Sequence, residues 1–506
     1  MYAIRLRING KVKYNFANTI YACTFFGKAL DHDSVLEIKE AANRDLVDSK
    51  IIFVFIDQTP TESGIIEIGA LRSLGIQFVT ITDTVIHGGI EQQKEYIELD
   101  NYLSEFLVSG RNLYDVRDPV TDRLSFFGRE LYARYLLDLL NQGRPIAIFG
   151  LRKMGKSSLL QYLRDNADFP VAYVDLSLGC DLADLFNRIL KSWESAVRIK
   201  RPGLDWNPPA LLSKPVSDPA IEFATATSNL MTLLEAKKYP RQLGLFIDEI
   251  ELIAPKYSNV DHASLSRYLT FSRTLRGLVQ EKEALALIIV GVDPRIVRIN
   301  RLEGEQNPFY QLFTEEYLPP LSKNNCIQMI RIIGRQMNLD YVDQSDEFIA
   351  EVSGGHPFVA RQLCALIVNV LKRDKNDIVQ PGAPKDTEII TLEKAKSVAE
   401  RFIRDPNTAS ILEGSLWREL TIPELWPEMQ SQENRAILTT LAQVDHQPES
   451  VVLANGSNQK AREQSVFELK KRSVLYNDKL KDLLRIQMIL FQNWIRLYQL
   501  QERQIR

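Results

Sequence analysis

The stretch Ile146–Leu160, IAIFGLRKMGKSSLL, constrains this chain more than any other. Four apolar residues enter a loop framed by Gly150 and Gly155, and a helix with apolar periodicity leaves from Lys156. Strand, glycine-framed loop and helix in that order make a P-loop, which implies a parallel α/β core with helices on both faces of the sheet. The loop is a phosphate cradle. Its backbone N–H groups can wrap an anion because the glycines carry no Cβ, and the helix N-terminus adds about half a positive charge. Gly150, Gly155, Lys156, Ser157 and Ser158 are the candidate phosphate ligands, Lys156 reaching the outer phosphates and the Ser157 hydroxyl ligating Mg²⁺.

A second apolar run, QLGLFIDEIE, ends in Asp248 and Glu249. Acidic groups at the carboxyl end of a strand beside a P-loop form a Walker B pattern. Asp248 would hold the Mg²⁺ shell and Glu249 would orient and activate the attacking water. The next apolar strand, LALIIVGVDP, ends at Asp293, and a resemblance to AAA+ and STAND proteins implies that this is the position of a γ-phosphate sensor. Arg273 and Arg276 lie on a predicted helix between these strands and are candidates to serve a neighbouring copy as an arginine finger.

Residues 1–108 read as a separate small α/β layer. Apolar strands KIIFVFID and QFVTIT alternate with helical segments, and Asp57, Glu62 and Glu67 fall at the carboxyl edge where such layers bind ligands. The run DSKIIFVFIDQTPTESGIIEIGALRSLGIQFVTI, with IYACTFF upstream, resembles nucleoside 2-deoxyribosyltransferases and their flavodoxin-like relatives, which share a layout with TIR domains. The resemblance implies that Glu67, followed by Ile68 and Gly69, meets the anomeric carbon of a nucleotide or NAD. A carboxylate suits that role because N-glycosidic cleavage passes through an oxocarbenium-like state. On the residues alone, Glu67 equally serves as an acid in the first turns of a helix, complementing its dipole.

Residues 109–126 are polar and aperiodic and read as a linker. FFGRE follows, with Gly128 and Arg129 at its centre, and resembles the segment before the P-loop in STAND-class signal-transduction NTPases and origin-recognition-type AAA+ proteins, where it packs beside adenine. With a core over 127–318, a helical lid over 319–405 and a winged helix over 406–506, the resemblance covers roughly residues 115 to 500. The turn SGGHP contains His356 and Pro357, which the resemblance places over the nucleotide; on physics alone it is a helix stop followed by a helix start. Lys460, Arg462, Lys470, Lys471 and Arg472 give the third region of the C-terminal module a basic character that could meet phosphates. The resemblance implies an ATP- and Mg²⁺-dependent switch that self-associates on an unidentified trigger, with antiviral defence as one setting. The rival is an ATP-controlled nucleic-acid-binding or scaffold protein with a non-catalytic N-terminal module.

Composition narrows the classes further. At 506 residues the chain exceeds one hydrophobic core, and 45% hydrophobic and 25% charged residues with a net charge of -3 give no overall pull toward nucleic acid. Cys23, Cys180, Cys326 and Cys364 are far apart and show no metal-binding spacing, so buried thiols in a reducing compartment are expected. With no long apolar run and no signal-peptide order at the start, a cytoplasmic location is expected.

Overall fold

The computed structural model describes residues 2–6, 20–45, 51–73, 77–82, 112–115, 127–177, 181–211, 218–255, 261–282, 285–335, 337, 339–374, 388–404, 425–426, 428–429, 431–454, 458–478 and 483–500. Cys180, the segment 83–108 and most of the expected linker lie outside them. They divide into two compact units, Arg129–Pro319 and a second formed by Met1–Gly128 with Pro320–Arg506.

The N-terminal part of the second unit contains β1 (Tyr2–Leu6), β2 (Ile20–Phe25), α1 (His32–Asp45), β3 (Ile51–Ile56), α2 (Glu62–Ser73) and β4 (Gln77–Thr82). The sheet runs β1-β2-β3-β4, with β1 antiparallel to β2 and the others parallel. A parallel α/β layer was expected and is present. Its described strands follow sequence order, whereas a flavodoxin-like sheet reverses at a switch point, and no such reversal occurs among them. Leu30, Val35, Ile38, Val54, Leu71 and Phe78 fill the core between the sheet and the two helices.

The P-loop unit begins with α3 (Glu130–Asn141), β5 (Ile146–Phe149), α4 (Lys156–Asn166), β6 (Val171–Asp175), α5 (Leu182–Lys200) and α6 (Pro219–Ala236). It continues with β7 (Leu243–Asp248), α7 (His262–Lys282), β8 (Leu285–Gly291), α8 (Arg295–Arg298), the hairpin β9 (Arg301–Leu302) and β10 (Glu305–Gln306), and β11 (Thr314–Tyr317). Strands β5, β7 and β8 are buried at every position because helices cover both faces, so their sequences are continuous apolar runs. The order β11-β5-β8-β7-β6 is wholly parallel and sets one strand, β8, between the P-loop strand and the acidic strand. One face is packed by Phe186 stacked on Phe223 at 4.3 Å and by Trp193, whose indole N–H donates to the Gly244 carbonyl at 2.6 Å.

The second unit continues with α9 (Lys323–Arg335), β12 (Leu339–Tyr341), α10 (Ser345–Val352), α11 (Pro357–Asp374), β13 (Glu388–Ile390) and α12 (Leu392–Arg404). Within this unit Ile65 of α2 packs against Ile332 of α9, with Phe127 beside them. The linker reading needs correction at Asn112–Asp115, which is a plug rather than a free connector. Tyr114 is fully buried, and its hydroxyl donates to the Ile330 carbonyl at 2.6 Å and meets the Tyr341 hydroxyl at 2.7 Å. Asn112 donates to the Ala365 carbonyl at 2.7 Å, and Arg361 donates to the Leu113 carbonyl at 3.0 Å. One aromatic in a polar run carries too little pattern to reveal a plug.

The C-terminal module orders α13 (Gln432–Val444), β14 (His446–Pro448), α14 (Glu449–Ala454), α15 (Gln459–Lys471), β15 (Leu475–Asp478), β16 (Leu483–Ile486) and α16 (Ile489–Trp494). Its small sheet runs β14-β16-β15. The stretch LLRIQMILFQNWIRLY opens as strand β16, which alternates in burial and pairs with β14 on one side and β15 on the other. Cys23, Cys326 and Cys364 are free and buried, as expected, and burial raises the Cys23 thiol to about 11 and Cys326 to about 12.

Candidate functional site

The site assembles at the carboxyl edge of β5, β8 and β7. Gly155 caps α4 in the left-handed region, φ 87°, and a Cβ there would sit 2.7 Å from the Arg129 guanidinium. Glycine is therefore required by conformation, and a side chain there would also have to displace the Arg129 guanidinium. Lys156 is buried and donates to the carbonyls of Gly150 at 3.1 Å and Leu151 at 2.8 Å, which folds its ammonium over the loop. Ser157 hydrogen-bonds Asp248 across the gap between α4 and the end of β7, and Ser158 is buried beside it.

Asp248 is buried, which raises its carboxyl above the usual range; the Ser157 bond and the Lys156 charge oppose that rise. Tyr173 of β6 donates its hydroxyl to Asp248 Oδ2 at 3.1 Å, and the Glu249 amide donates to Oδ1 at 3.0 Å. Burial, then the charges of Asp248 and Asp175, pushes the Tyr173 phenol upward, so it remains a donor. Sequence reasoning missed Tyr173, since a tyrosine inside an apolar strand looks like core. Glu249 itself takes a left-handed conformation, φ 55°, which non-glycine residues adopt at a cost and which clusters at functional sites.

Two charged groups stand out for their burial. Arg129 is buried; its guanidinium donates to the carbonyls of Gly155 at 3.5 Å and Pro319 at 3.2 Å, its Nε has no acceptor, and no carboxylate among the described residues pairs with it. Burial lowers its pKa to about 10, so it stays charged at neutral pH. Glu251, in the short 3-10 turn Ile250–Leu252, buries both carboxyl oxygens beside Glu249. Burial, with a contribution from Glu249 and against the pull of Lys156, raises it to about 7. The sequence signal for Glu251 was present: DEIE places a second acid just past the Walker B pair.

Other expected residues have local duties. Asp293 caps the Arg295 amide at 3.0 Å and pairs with the Arg295 guanidinium. Arg273 pairs with Glu305 at 2.9 Å, and Arg276 donates to the Pro308 carbonyl at 2.6 Å. Gly128, His356 and Pro357 belong to the other unit: the Gly128 carbonyl accepts from Asn325 at 3.3 Å, and the buried His356 accepts the Val359 amide through Nδ1 at 3.4 Å, at the start of the helix that Pro357 opens.

Glu67 is 16% exposed and lies 3.3 Å from His32 Nδ1 of α1, while Asp57 accepts the Gly27 amide at 3.0 Å. Thr61 caps α2 through the Gly64 amide at 3.2 Å.

Three of the five basic residues expected to mark the C-terminal module are ion-paired within it, and Lys460 is exposed. Arg462 is buried and paired with Glu433, Lys470 with Glu449 and Arg472 with Glu428, and Lys471 lies over the Phe467 ring at 4.8 Å.

The arrangement fits a nucleoside triphosphate with Mg²⁺. A serine hydroxyl hydrogen-bonded to a carboxylate is a hard oxygen donor set, and the P-loop supplies the amides, lysine and helix terminus that phosphates need. No family model and no curated protein matches the chain. Among solved structures, it is similar to the Walker-type ATPase PABY2304 of Pyrococcus abyssi, with TM-score 0.48 and 16% identity over 76% of this chain and 99% of that one. It also aligns with the ORC2 protein of Aeropyrum pernix, TM-score 0.43 and 13% identity over 77% and 98%, and with Cdc6p of Pyrobaculum aerophilum, TM-score 0.36 and 14% identity over 78% and 98%. Likeness at these values assigns no activity. Among the described residues, no helix is long and apolar enough to cross a membrane.

Proposed function

We propose that this chain binds ATP with Mg²⁺ and hydrolyses it, and that turnover drives a STAND-type switch governing the N-terminal domain. The observation that carries the proposal is the convergence of Lys156, Ser157, Asp248 and Glu249 at one sheet edge. Ser157 and Asp248 would hold Mg²⁺, which when bound neutralises charge on the outer phosphates. Lys156 holds the same phosphates, Tyr173 keeps Asp248 oriented, and Glu249 orients the attacking water.

For the N-terminal domain we propose cleavage of a nucleotide or NAD N-glycosidic bond, with Glu67 meeting the developing positive charge. The His32 contact supports this by orienting Glu67 in the middle of α2. The family resemblance supplies the setting of antiviral defence and of self-association on activation. The neutralised basic residues of the C-terminal module weigh against the nucleic-acid-binding alternative.

Two variants test the core of the proposal. Lys156→Ala should abolish ATP binding measured by calorimetry, whereas Glu249→Gln should keep it and slow phosphate release by about 10²–10⁴-fold. Equal turnover by Glu249→Gln and wild type would sink the assignment. For the N-terminal domain, chromatography should detect free base from NAD or a nucleotide with wild type and none with Glu67→Gln, which keeps the shape but loses the charge.

A further inference from the structure

We infer that Lys153 is a second phosphate-binding lysine of the nucleotide site, its ammonium meeting the outer phosphates from the tip of the P-loop while Lys156 meets them from its base. The inference rests on the ATP-binding reading and adds a residue to it.

The backbone is the first ground. Two residues of the loop lie in the left-handed region, Gly155 at φ 87° and Lys153 at φ 58°. Glycine takes that conformation freely, whereas a residue with a Cβ takes it at a cost, and lysine lacks the short polar group with which asparagine or aspartate offsets it. Glycine would therefore serve the turn at 153 better than lysine does. A non-glycine outlier of this kind in a ligand-binding loop points to a use for its side chain. Glu249, at φ 55° after the Walker B strand, is the acidic counterpart at the same sheet edge.

Placement is the second ground. Leu151 and Met154 are buried, and Lys156 donates to the Gly150 and Leu151 carbonyls. Those three residues anchor the loop to the core, and Arg152 and Lys153 form its exposed tip. Phosphates bind where the amides of such a loop and of the following helix converge, so a lysine on the tip is attached at the rim of that cradle. Its four-carbon stem is flexible and its ammonium is a compact point charge, which suits an anion with several equivalent oxygens. Arg152 shares the tip but not the left-handed backbone.

Charge is the third ground. Lys156 acts on both Asp248 and Glu251, and Glu249 acts on both, so three acids share the field of one lysine. A triphosphate brought to that edge adds further negative charge, of which Mg²⁺ offsets only part, and Arg129 beside Gly155 supplies one more positive group. The arginines of the following segments are engaged: Arg273 with Glu305, Arg276 with the Pro308 carbonyl, Arg295 with Asp293 and Arg298 with Glu315. A cation carried on the loop itself supplies the balance.

Full-length Lys153→Gly, Lys153→Asn and Lys153→Arg test the inference beside wild type, Lys156→Ala and Arg152→Ala. Calorimetry gives their affinities for the non-hydrolysable imido analogue of ATP and for ADP, each with Mg²⁺, and melting temperatures are taken without nucleotide. Lys153→Gly should melt at or above the wild-type temperature, because the backbone cost is relieved, yet bind the triphosphate about tenfold more weakly and ADP less than about threefold more weakly. Lys153→Asn, which tolerates the left-handed turn without the charge, should lose as much, and Lys153→Arg should stay within about threefold of wild type. If Lys153→Gly and Lys153→Asn bind the triphosphate as wild type does while Lys156→Ala loses it, the inference fails and the ATP-binding reading stands. Equal weakening of triphosphate and ADP together with a lower melting temperature would make Lys153 a shaper of the loop and also overturn it. So would an equal loss in Arg152→Ala, which would assign the effect to the general field of the tip. No triphosphate binding by wild type would overturn both.

Discussion

The P-loop unit and the C-terminal module handle buried charge in opposite ways. In the module, Arg462 is matched to Glu433 and Arg472 to Glu428, each guanidinium also donating to a backbone carbonyl. In the P-loop unit, Arg129 has only carbonyls, Glu251 has another acid, Glu249, for a neighbour, and Asp248 is held by hydroxyls and an amide rather than by a guanidinium. A charge matched within the chain is spent on architecture. One left unmatched keeps its field for a ligand, at a standing cost in stability.

The sharpest break of this comparison is to unmatch the module. Arg472→Met takes the guanidinium away from the buried Glu428 and should destabilise the protein by about 3–5 kcal/mol in denaturant titration, whereas the double replacement with Glu428→Met should cost less than about 1 kcal/mol. If the single and double variants unfold alike, the pair is not matched in the sense argued here.

Glu251 supplies the opposite case. Its folded carboxyl titrates at about 7 against an ordinary 4.5, so the folded state holds more protons between those values. Stability should therefore be full below about pH 4.5, fall as pH rises to about 7, and carry the whole penalty, on the order of 3 kcal/mol, above it. Glu251→Gln should flatten that slope and be the more stable protein at pH 8. A slope that persists unchanged in Glu251→Gln would locate it elsewhere.

Arg129→Met should leave unfolding stability within about 1 kcal/mol of wild type, because no carboxylate is orphaned, but weaken ATP about tenfold. A large loss of stability with unchanged affinity would place Arg129 with the architectural arginines instead. Smallest is Tyr114→Phe, which removes two buried hydrogen bonds and should cost about 1–2 kcal/mol, with no change in ATP affinity.

The contrast also explains what the sequence could disclose. The P-loop, the Walker B strand and the parallel core were legible because phosphate chemistry demands particular residues at short fixed spacing, and buried parallel strands are unbroken apolar runs. Glu251 and Tyr173 act across the sheet edge, from the turn after β7 and from β6, and only the strand order brings them to the P-loop. The basic stretch of the C-terminal module misled for a related reason: charge on a helix is visible in sequence, but the acids at Glu428, Glu433 and Glu449 that cancel it lie 21 to 44 residues away. Strand β16 was hidden inside an apolar run that suits a helix equally well. In the N-terminal domain the strands were readable, but the order in which they pair was not.

The Tyr114 plug bears on how such chains can be recombined. A crossover placed anywhere in a disposable spacer is tolerated, and residues 109–126 look like one. Because Asn112–Asp115 fills a slot among α9, β12 and α11, a chimera that joins a foreign N-terminal domain downstream of Asp115 would empty that slot and expose the Ile330 carbonyl and the Tyr341 hydroxyl. The permissible seam lies upstream of Asn112, so the tetrapeptide is inherited with those elements and not with the domain it follows.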